Sequence, residues 1–350
     1  LADLVGRKPA SISHYESGRH EPPPEVAQSL ADALKVKVGF FYQPPRPQRD
    51  TPTFFRSLAA TTKRARTRAE RRLGWAWDVV RFVERHVELP PIDLPTVSDP
   101  WRALTPPDIE RIAATVRSAW GLGAGPIPNL VWLVEQHGIV VVRDSMGDRH
   151  LDAHSAWYGH RSIIVLNEDK KSAVRSRFDC AHELGHLVLH RDVLPADVQK
   201  RDSLQIIESQ ADLFAAAFMM PAETFGREAS PVSLEGLLHL KPRWKMSVGS
   251  MLYRAGQLGL VSNEQSQRLW RALSRRGWRT REPFDDAMLP ELPRTLGSSF
   301  EVISEHGLAT RDAVLSDTQL EQFDVEALAN LGIDSLTATE TKVLSFRRFG

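Results

Sequence analysis

Phe178-Asp179-Cys180-Ala181-His182-Glu183-Leu184-Gly185-His186-Leu187-Val188-Leu189-His190 is the stretch whose reading decides the fold. It contains H-E-x-x-H. On a helix of about 3.6 residues per turn, His182 and His186 stand one turn apart on one face, where two imidazoles can bind one Zn²⁺ and leave positions open. Glu183 sits beside the first of them, where a carboxylate can take a proton from an activated water. The pattern points to hydrolysis of peptide bonds.

A catalytic zinc commonly takes three protein ligands, so another element must supply one more. Glu208 is the candidate. It opens Glu208-Ser209-Gln210-Ala211-Asp212-Leu213-Phe214-Ala215-Ala216-Ala217-Phe218-Met219-Met220-Pro221, an alanine-rich, helix-forming run that stops at a proline. Leu213, Phe214, Ala217 and Phe218 would face a core, leaving Glu208 and Asp212 stacked one turn apart on another side. Asp212 is then the candidate acceptor for the far ring nitrogen of a ligating histidine. His190 is a rival ligand, but three successive i, i+4 positions lie along a line of about 12 Å, while a metal sits about 2 Å from each ligand. It is expected instead at the helix C-terminus, where the dipole favours it.

At 350 residues the chain exceeds a usual single domain, and two or three compact units are expected. Its single cysteine, Cys180, rules out an internal disulfide framework and fits a reducing compartment. Beside His182, Cys180 reads as a small buried residue rather than a redox centre. With no run of about eighteen apolar residues and no signal-peptide pattern, a soluble, cytoplasmic protein without a membrane partner is expected. The formal net charge of +1 hides local basic clusters. Because the sequence opens on Leu1 in mid-pattern, an incomplete N-terminus is expected.

Residues 1–43 read as short helices. Pro9 starts a helix carrying Ile12 and Tyr15 inward, Gly18 ends it, and Pro22-Pro23-Pro24 leads into a second helix with Val26, Leu30, Ala33 and Leu34 at helical spacing. Two short helices joined by a tight turn make a helix-turn-helix, with Lys8, Ser11, Ser13, His14 and Arg19 exposed towards DNA. This segment resembles the repressor-like XRE helix-turn-helix family in its Ala2, Ile12, Ser13, Glu16, Gly18 pattern. It starts at that family's second helix, so a module lacking the first is expected.

Residues 44–103 read as a proline-stiffened linker and a long amphipathic helix. Arg56, Lys63, Arg64, Arg66, Arg68, Arg71 and Arg72 are its basic side; they could track phosphates, but a solvated helix face is the reading favoured. From Pro106 the pattern turns to α+β, with helices over 107–121 and from Asn129. Strands follow at Ile139–Val142, Ala153–Tyr158 and Ser162–Leu166, the last two joined by a Gly159-His160 turn. A small sheet beside the motif helix offers an edge strand to an extended peptide. His154, Tyr158 and His160 are the candidates for that substrate cleft.

Residues 132–221 resemble the ImmA/IrrE family of metallopeptidases, through the strand ending Ile-Ile-Val-Leu-Asn167, the Arg-Phe-Asp-Cys-Ala-His182-Glu-Leu-Gly-His186-Leu-Val-Leu-His190 run and the Glu208 to Pro221 run. The resemblance implies a zincin-like domain over 104–225 and zinc-dependent cleavage of a protein substrate, a transcriptional repressor. His182, His186 and Glu208 would be the ligands and Glu183 the base; Mn²⁺ or Fe²⁺ suits the same donors. It also implies a helical, helix-turn-helix-like region over 226–282, which is basic through Arg243, Lys245, Arg254, Arg271, Arg275, Arg276, Arg279 and Arg281. Residues 283–350 read as an accessory helical tail. The expected class is thus α+β, mostly helical: an N-terminal helix-turn-helix, a metallopeptidase domain with a small sheet, and a C-terminal helical region. The competing reading is a DNA-binding regulator, or an antitoxin partnered by a toxin protein, in which the peptidase fold senses or binds. An oligomer is compatible with either.

Overall fold

The computed structural model describes residues 1–43, 46, 49, 51–54, 62–148, 151–169 and 172–336. Leu1–Arg46, Trp75–Glu88 and the chain from Leu296 form one compact unit, and Pro47–Gly74 with Leu89–Thr295 form the other. Most of the proline-rich 44–52 stretch, Arg56, the Lys63 side chain and the last fourteen positions of the predicted tail lie outside the described residues.

In the first unit, α1 (Pro9–Glu16) opens on a proline, whose missing N–H no first-turn partner needs. It closes where Gly18 adopts φ 67° and Arg19 N–H donates back to the His14 carbonyl at 2.9 Å. Ile12 packs on Val26 and Leu30 of α2 (Pro24–Leu34), flanked by Ala2, Val5 and Tyr15. The long helix α3 (Lys63–Glu84) is divided: from Trp75 it belongs to this unit, with Ala76, Val79, Val80 and Val83 buried on one side, and up to Gly74 it belongs to the second.

The second unit is built on helices around three strands. α4 (Pro106–Ala119) begins with a capping box between Thr105 and Asp108, and α5 (Leu130–Gln136) begins where the Asn129 side chain accepts from Trp132 N–H. Then come β1 (Val140–Asp144), β2 (Ala153–Tyr158) and β3 (Arg161–Asn167), in spatial order β1-β3-β2. β1 runs parallel to β3 and β2 antiparallel, the hairpin closing through Gly159 at φ 57°. All three strands are buried along their length. One arginine of the α3 stripe departs from the solvated face expected of it: Arg72 is 9% exposed and its guanidinium pairs with Asp144 at the end of β1. Arg64, Arg68 and Arg71 are exposed.

α6 (Ala173–Leu189) carries the motif, and after the short α7 (Pro195–Val198) comes α8 (Arg201–Met219), which starts seven positions before the run read from the sequence. α9 (Ala222–Ala229), α10 (Leu234–Trp244), α11 (Val248–Gln257) and α12 (Asn263–Arg275) complete the layer. α10 passes through Pro242 and ends one turn later at Lys245 in the left-handed region. Half of the basic cluster expected here is paired with carboxylates, Arg281 with Asp286 among them. Arg254 is fully buried, bound to Glu110 of α4 and the Met220 carbonyl, while Arg243 pairs with Glu228 and Arg276 with Glu235.

The segment after Arg281, read as the start of a separate tail, is part of this unit up to Thr295. Glu282 accepts from the first N–H groups of α11, Glu291 accepts from Leu130 and Val131 at the start of α5, and Glu135 accepts from Arg294 and Thr295 N–H. The remainder, α13 (Thr295–Glu305), α14 (Arg311–Thr318) and α15 (Gln322–Leu328), belongs to the first unit. There Phe300 stacks near Phe82, Arg85 pairs with Asp317, and the Gln319 side chain lies where a Cβ on Gly39 would stand.

Lys241 is fully buried with its ammonium 2.8 Å from Glu282 and 2.6 Å from Asp285. Lys241→Met leaves two carboxylates facing each other out of water, and the second unit should lose about 3–5 kcal/mol. Urea unfolding monitored by tryptophan fluorescence measures this, and an unchanged midpoint would refute it.

Candidate metal centre

α6 and α8 cross closely because the motif's glycine sits at the contact. A Cβ on Gly185 would meet Phe214 at 3.1 Å and the Ala211 backbone at 3.3 Å. At that spacing Glu208 reaches across to both histidines. Its Oε2 is 3.2 Å from His182 Nε2, its Oε1 is 3.6 Å from His186 Nε2, and the two Nε2 atoms are 3.0 Å apart. Ligand atoms about 2 Å from a tetrahedral ion stand about 3.3 Å from one another, so the three atoms already have the separations one small cation requires. His182, His186 and Glu208 form a group fitted to hold a metal ion among the described residues.

The chemistry of the donors agrees. Both Glu208 carboxylate oxygens are shielded from water with no donor in hydrogen-bonding geometry, the approach to His182 being an ion-pair contact only. His182 Nδ1 lies 2.9 Å from Asp212 Oδ1, which leaves Nε2 to face Glu208 and His186. Burial opposes a charge on His182, but the carboxylates of Asp212 and Glu208 outweigh it and push the imidazole up to about 10. A cation held by the three residues would take the place of that proton.

Glu183 is 1% exposed, and its Oε2 accepts from the Ser155 hydroxyl at 2.7 Å. Desolvation pushes its carboxyl up to about 8, against the opposing pull of the His182 charge and the Ser155 hydrogen bond. Ser155 was not singled out in the sequence; the only signal was strand alternation, which puts it on the same face of β2 as Trp157, whose Nε1 donates to the Leu187 carbonyl of α6. The same alternation corrects the cleft assignment. His154 and Tyr158 sit on the opposite face, and His154 Nε2 meets the Ala69 carbonyl of α3 at 3.1 Å. His160 is exposed in the hairpin turn. A cleft of about 590 Å³ does reach Asp212, but Phe178, Asp179, Tyr253, Trp270 and Trp278 line it.

His190 caps α6 and is fully buried, its Nδ1 2.9 Å from His186 Nδ1 and its Nε2 3.0 Å from Gln210 Oε1. Phe54 lies flat on His186, ring centroids 4.3 Å apart and planes 2° apart, in a pocket with Trp101, Val193 and Ile207. Nearby, Thr51 Oγ1 accepts from Trp157 N–H on the edge of β2. None of Gln210, Phe54 or Thr51 carried a signal in the sequence. Cys180 is buried, and desolvation pushes its thiol up to about 12, so it remains a thiol. In the other unit, Lys8, Ser13 and Arg19 are exposed around α1, and Ser11 and His14 half-buried.

Fold and centre together define a metallopeptidase-type domain in a chain that also carries a helix-turn-helix. Comparison with family models gives the same division: residues 134–255 match the IrrE N-terminal-like domain of the M78 peptidase family, and residues 1–41 match a helix-turn-helix family. No curated protein matches the chain. No helix among the described residues is long and apolar enough to cross a membrane.

Burial pushes His154 down to about 3 from 6.5. Above pH 6.5 the imidazole is neutral in both folded and unfolded chains. As pH falls from there towards 3, only the unfolded chain takes the proton. Stability should therefore drop by up to about 1.4 kcal/mol per pH unit on account of this one group. His154→Phe should make the acid limb of a stability–pH curve shallower by about one proton, and identical limbs would count against the assignment.

Proposed function

We propose that the chain is a zinc-dependent endopeptidase that cleaves a regulatory protein, a transcriptional repressor, and that its helix-turn-helix brings this activity to DNA in the cytoplasm. The observation that carries the reading is the convergence of His182 Nε2, His186 Nε2 and a Glu208 carboxylate without a hydrogen-bond donor, beside Glu183. These three residues would hold the ion, Zn²⁺ suiting two imidazoles and a carboxylate, with Mn²⁺ or Fe²⁺ as substitutes. When bound, the ion supplies a Lewis acid that polarises the scissile carbonyl and makes a water more acidic.

The protein's own groups do the rest. Glu183 takes the proton of the attacking water and returns it to the leaving amine; the Ser155 hydroxyl holds its carboxylate in one orientation. Asp212 fixes His182 by its Nδ1–H, and Lys8, Ser11, Ser13, His14 and Arg19 are the groups offered to DNA. The cleft beside Asp212, with its aromatic walls, is the approach for a polypeptide.

One observation favours the regulator or antitoxin reading. His182, Glu183 and His186 are each no more than 1% exposed and Phe54 lies across His186, so the centre faces outward only through Glu208 and Asp212, 16% and 31% exposed. A domain that senses a metal or binds a toxin partner has no need of an open centre.

Glu183→Gln separates the readings. It should keep the fold and the zinc, as measured by circular dichroism and elemental analysis, and lower cleavage of a repressor encoded nearby by at least about a thousandfold. Wild-type cleavage by this variant would end the base assignment. DNA binding and partner binding unaffected by the variant, with no cleavage by either protein, would support the regulator. His182→Ala should lose the metal, and stoichiometric zinc in that variant would contradict the ligand set.

A further inference from the structure

The hydrogen-bond sequence behind His186 runs one way only. Gln210 is buried on α8, and its Nε2 donates to the Trp101 carbonyl at 2.7 Å and more weakly to that of Leu104 at 3.4 Å. With the amide nitrogen so committed, the atom 3.0 Å from His190 Nε2 is the Oε1 carbonyl, which can only accept. His190 must therefore carry its proton on Nε2. It is fully buried, and among the described residues its ring meets His186 and Gln210 and no carboxylate, so it is neutral, and its Nδ1 is a lone pair. That lone pair lies 2.9 Å from His186 Nδ1, which must be the donor. The remaining nitrogen of His186, Nε2, is then the unprotonated one, and it is the atom that faces His182 and Glu208.

We propose that Gln210 and His190 are positioning residues which fix His186 as its Nδ1–H tautomer and so hold its Nε2 lone pair on the metal cluster. The inference rests on the metal-centre reading, but not on peptidase activity. It gives the two histidine ligands different supports. His182 is held by a carboxylate whose side chain is 31% exposed, whereas His186 is held by a neutral, buried relay that ends on two carbonyls of the 101–104 turn. Phe54 stacks on His186 and tilts against His190, keeping the two rings in the orientation the relay needs. His190 thus serves the metal without ligating it, at a spacing that excludes direct ligation.

Two substitutions and one spectrum test this. His190→Phe keeps a ring in the pocket and removes the acceptor, and zinc affinity should fall about 10–100-fold in competition with a chromophoric chelator. His190→Asn places a carbonyl oxygen where Nδ1 stood and should recover most of that loss, which a packing role alone would not do. In metal-free wild-type protein with labelled imidazoles, long-range ¹⁵N–¹H correlation should show His186 protonated at Nδ1 and His190 at Nε2. The reverse tautomers, or a His190→Phe affinity within twofold of wild type, would overturn the relay. If wild type took up no zinc, the metal reading would fail, while the tautomers would still decide the relay by themselves.

Discussion

The close crossing of α6 and α8 is the constraint on which the rest depends. One helix supplies two imidazoles and a carboxylate, which alone make an incomplete site; the other must come within reach of a single glutamate side chain. Gly185 and Ala211 make that possible, since a methyl group on the glycine would already press on Phe214 and on the Ala211 backbone. The alanines of α8 therefore do more than favour a helix. Ala211, Ala215, Ala216 and Ala217 are buried, and Ala211 at the contact lets Glu208, Gln210 and Asp212 lie near α6. These three residues meet different atoms: Glu208 the two Nε2 nitrogens, Asp212 the His182 Nδ1, Gln210 the His190 Nε2.

Burying so many polar groups is costly unless each has a partner, and the site shows how that cost is met. His190 is neutral, because burial pushes it down to about 3 despite the hydrogen bond to Gln210. His182 is driven the other way by two carboxylates. Both Glu208 oxygens lack a donor in hydrogen-bonding geometry, and it is the residue for which a cation is the natural partner. The distribution of satisfied and unsatisfied atoms, rather than the motif letters, is what singles out one point in space.

The local part of this arrangement was legible in the sequence. His182, Glu183 and His186 are related by one turn of one helix, and Glu208 to Asp212 by one turn of another, so periodicity alone placed each set on a face. What joins distant residues was not. Ser155 reaches Glu183 only because β2 pairs with β3 in a particular register, and a one-residue shift would have presented His154 instead. The strand alternates Ser155 and Trp157 with His154 and Tyr158, and the sequence gives no sign of which pair faces α6. Phe54 arrives from a stretch with no periodicity, and Gln210 is one polar residue within a helical run, with nothing to mark it as buried.

Charge was the other misleading signal. A run of arginines in the sequence shows a sum of charge, not where each guanidinium goes. Arg72 lies in a stripe read as solvated and Arg254 in a region read as basic, yet one pairs with Asp144 and the other is buried against Glu110 and a helix-terminal carbonyl. Arg117 shows the same use: buried, with its ordinary value brought down to about 10 by desolvation, it donates to the carbonyls of Phe218, Gly123 and Gly125. A guanidinium has five N–H groups in a fixed plane, so it can satisfy several carbonyls at once where helices end or loops meet. Carboxylates such as Glu110 and Asp144, far away in sequence, decide which arginines are drawn inward. Among the described members of the stripe, Arg64, Arg68 and Arg71 are the exposed ones, open to an external phosphate.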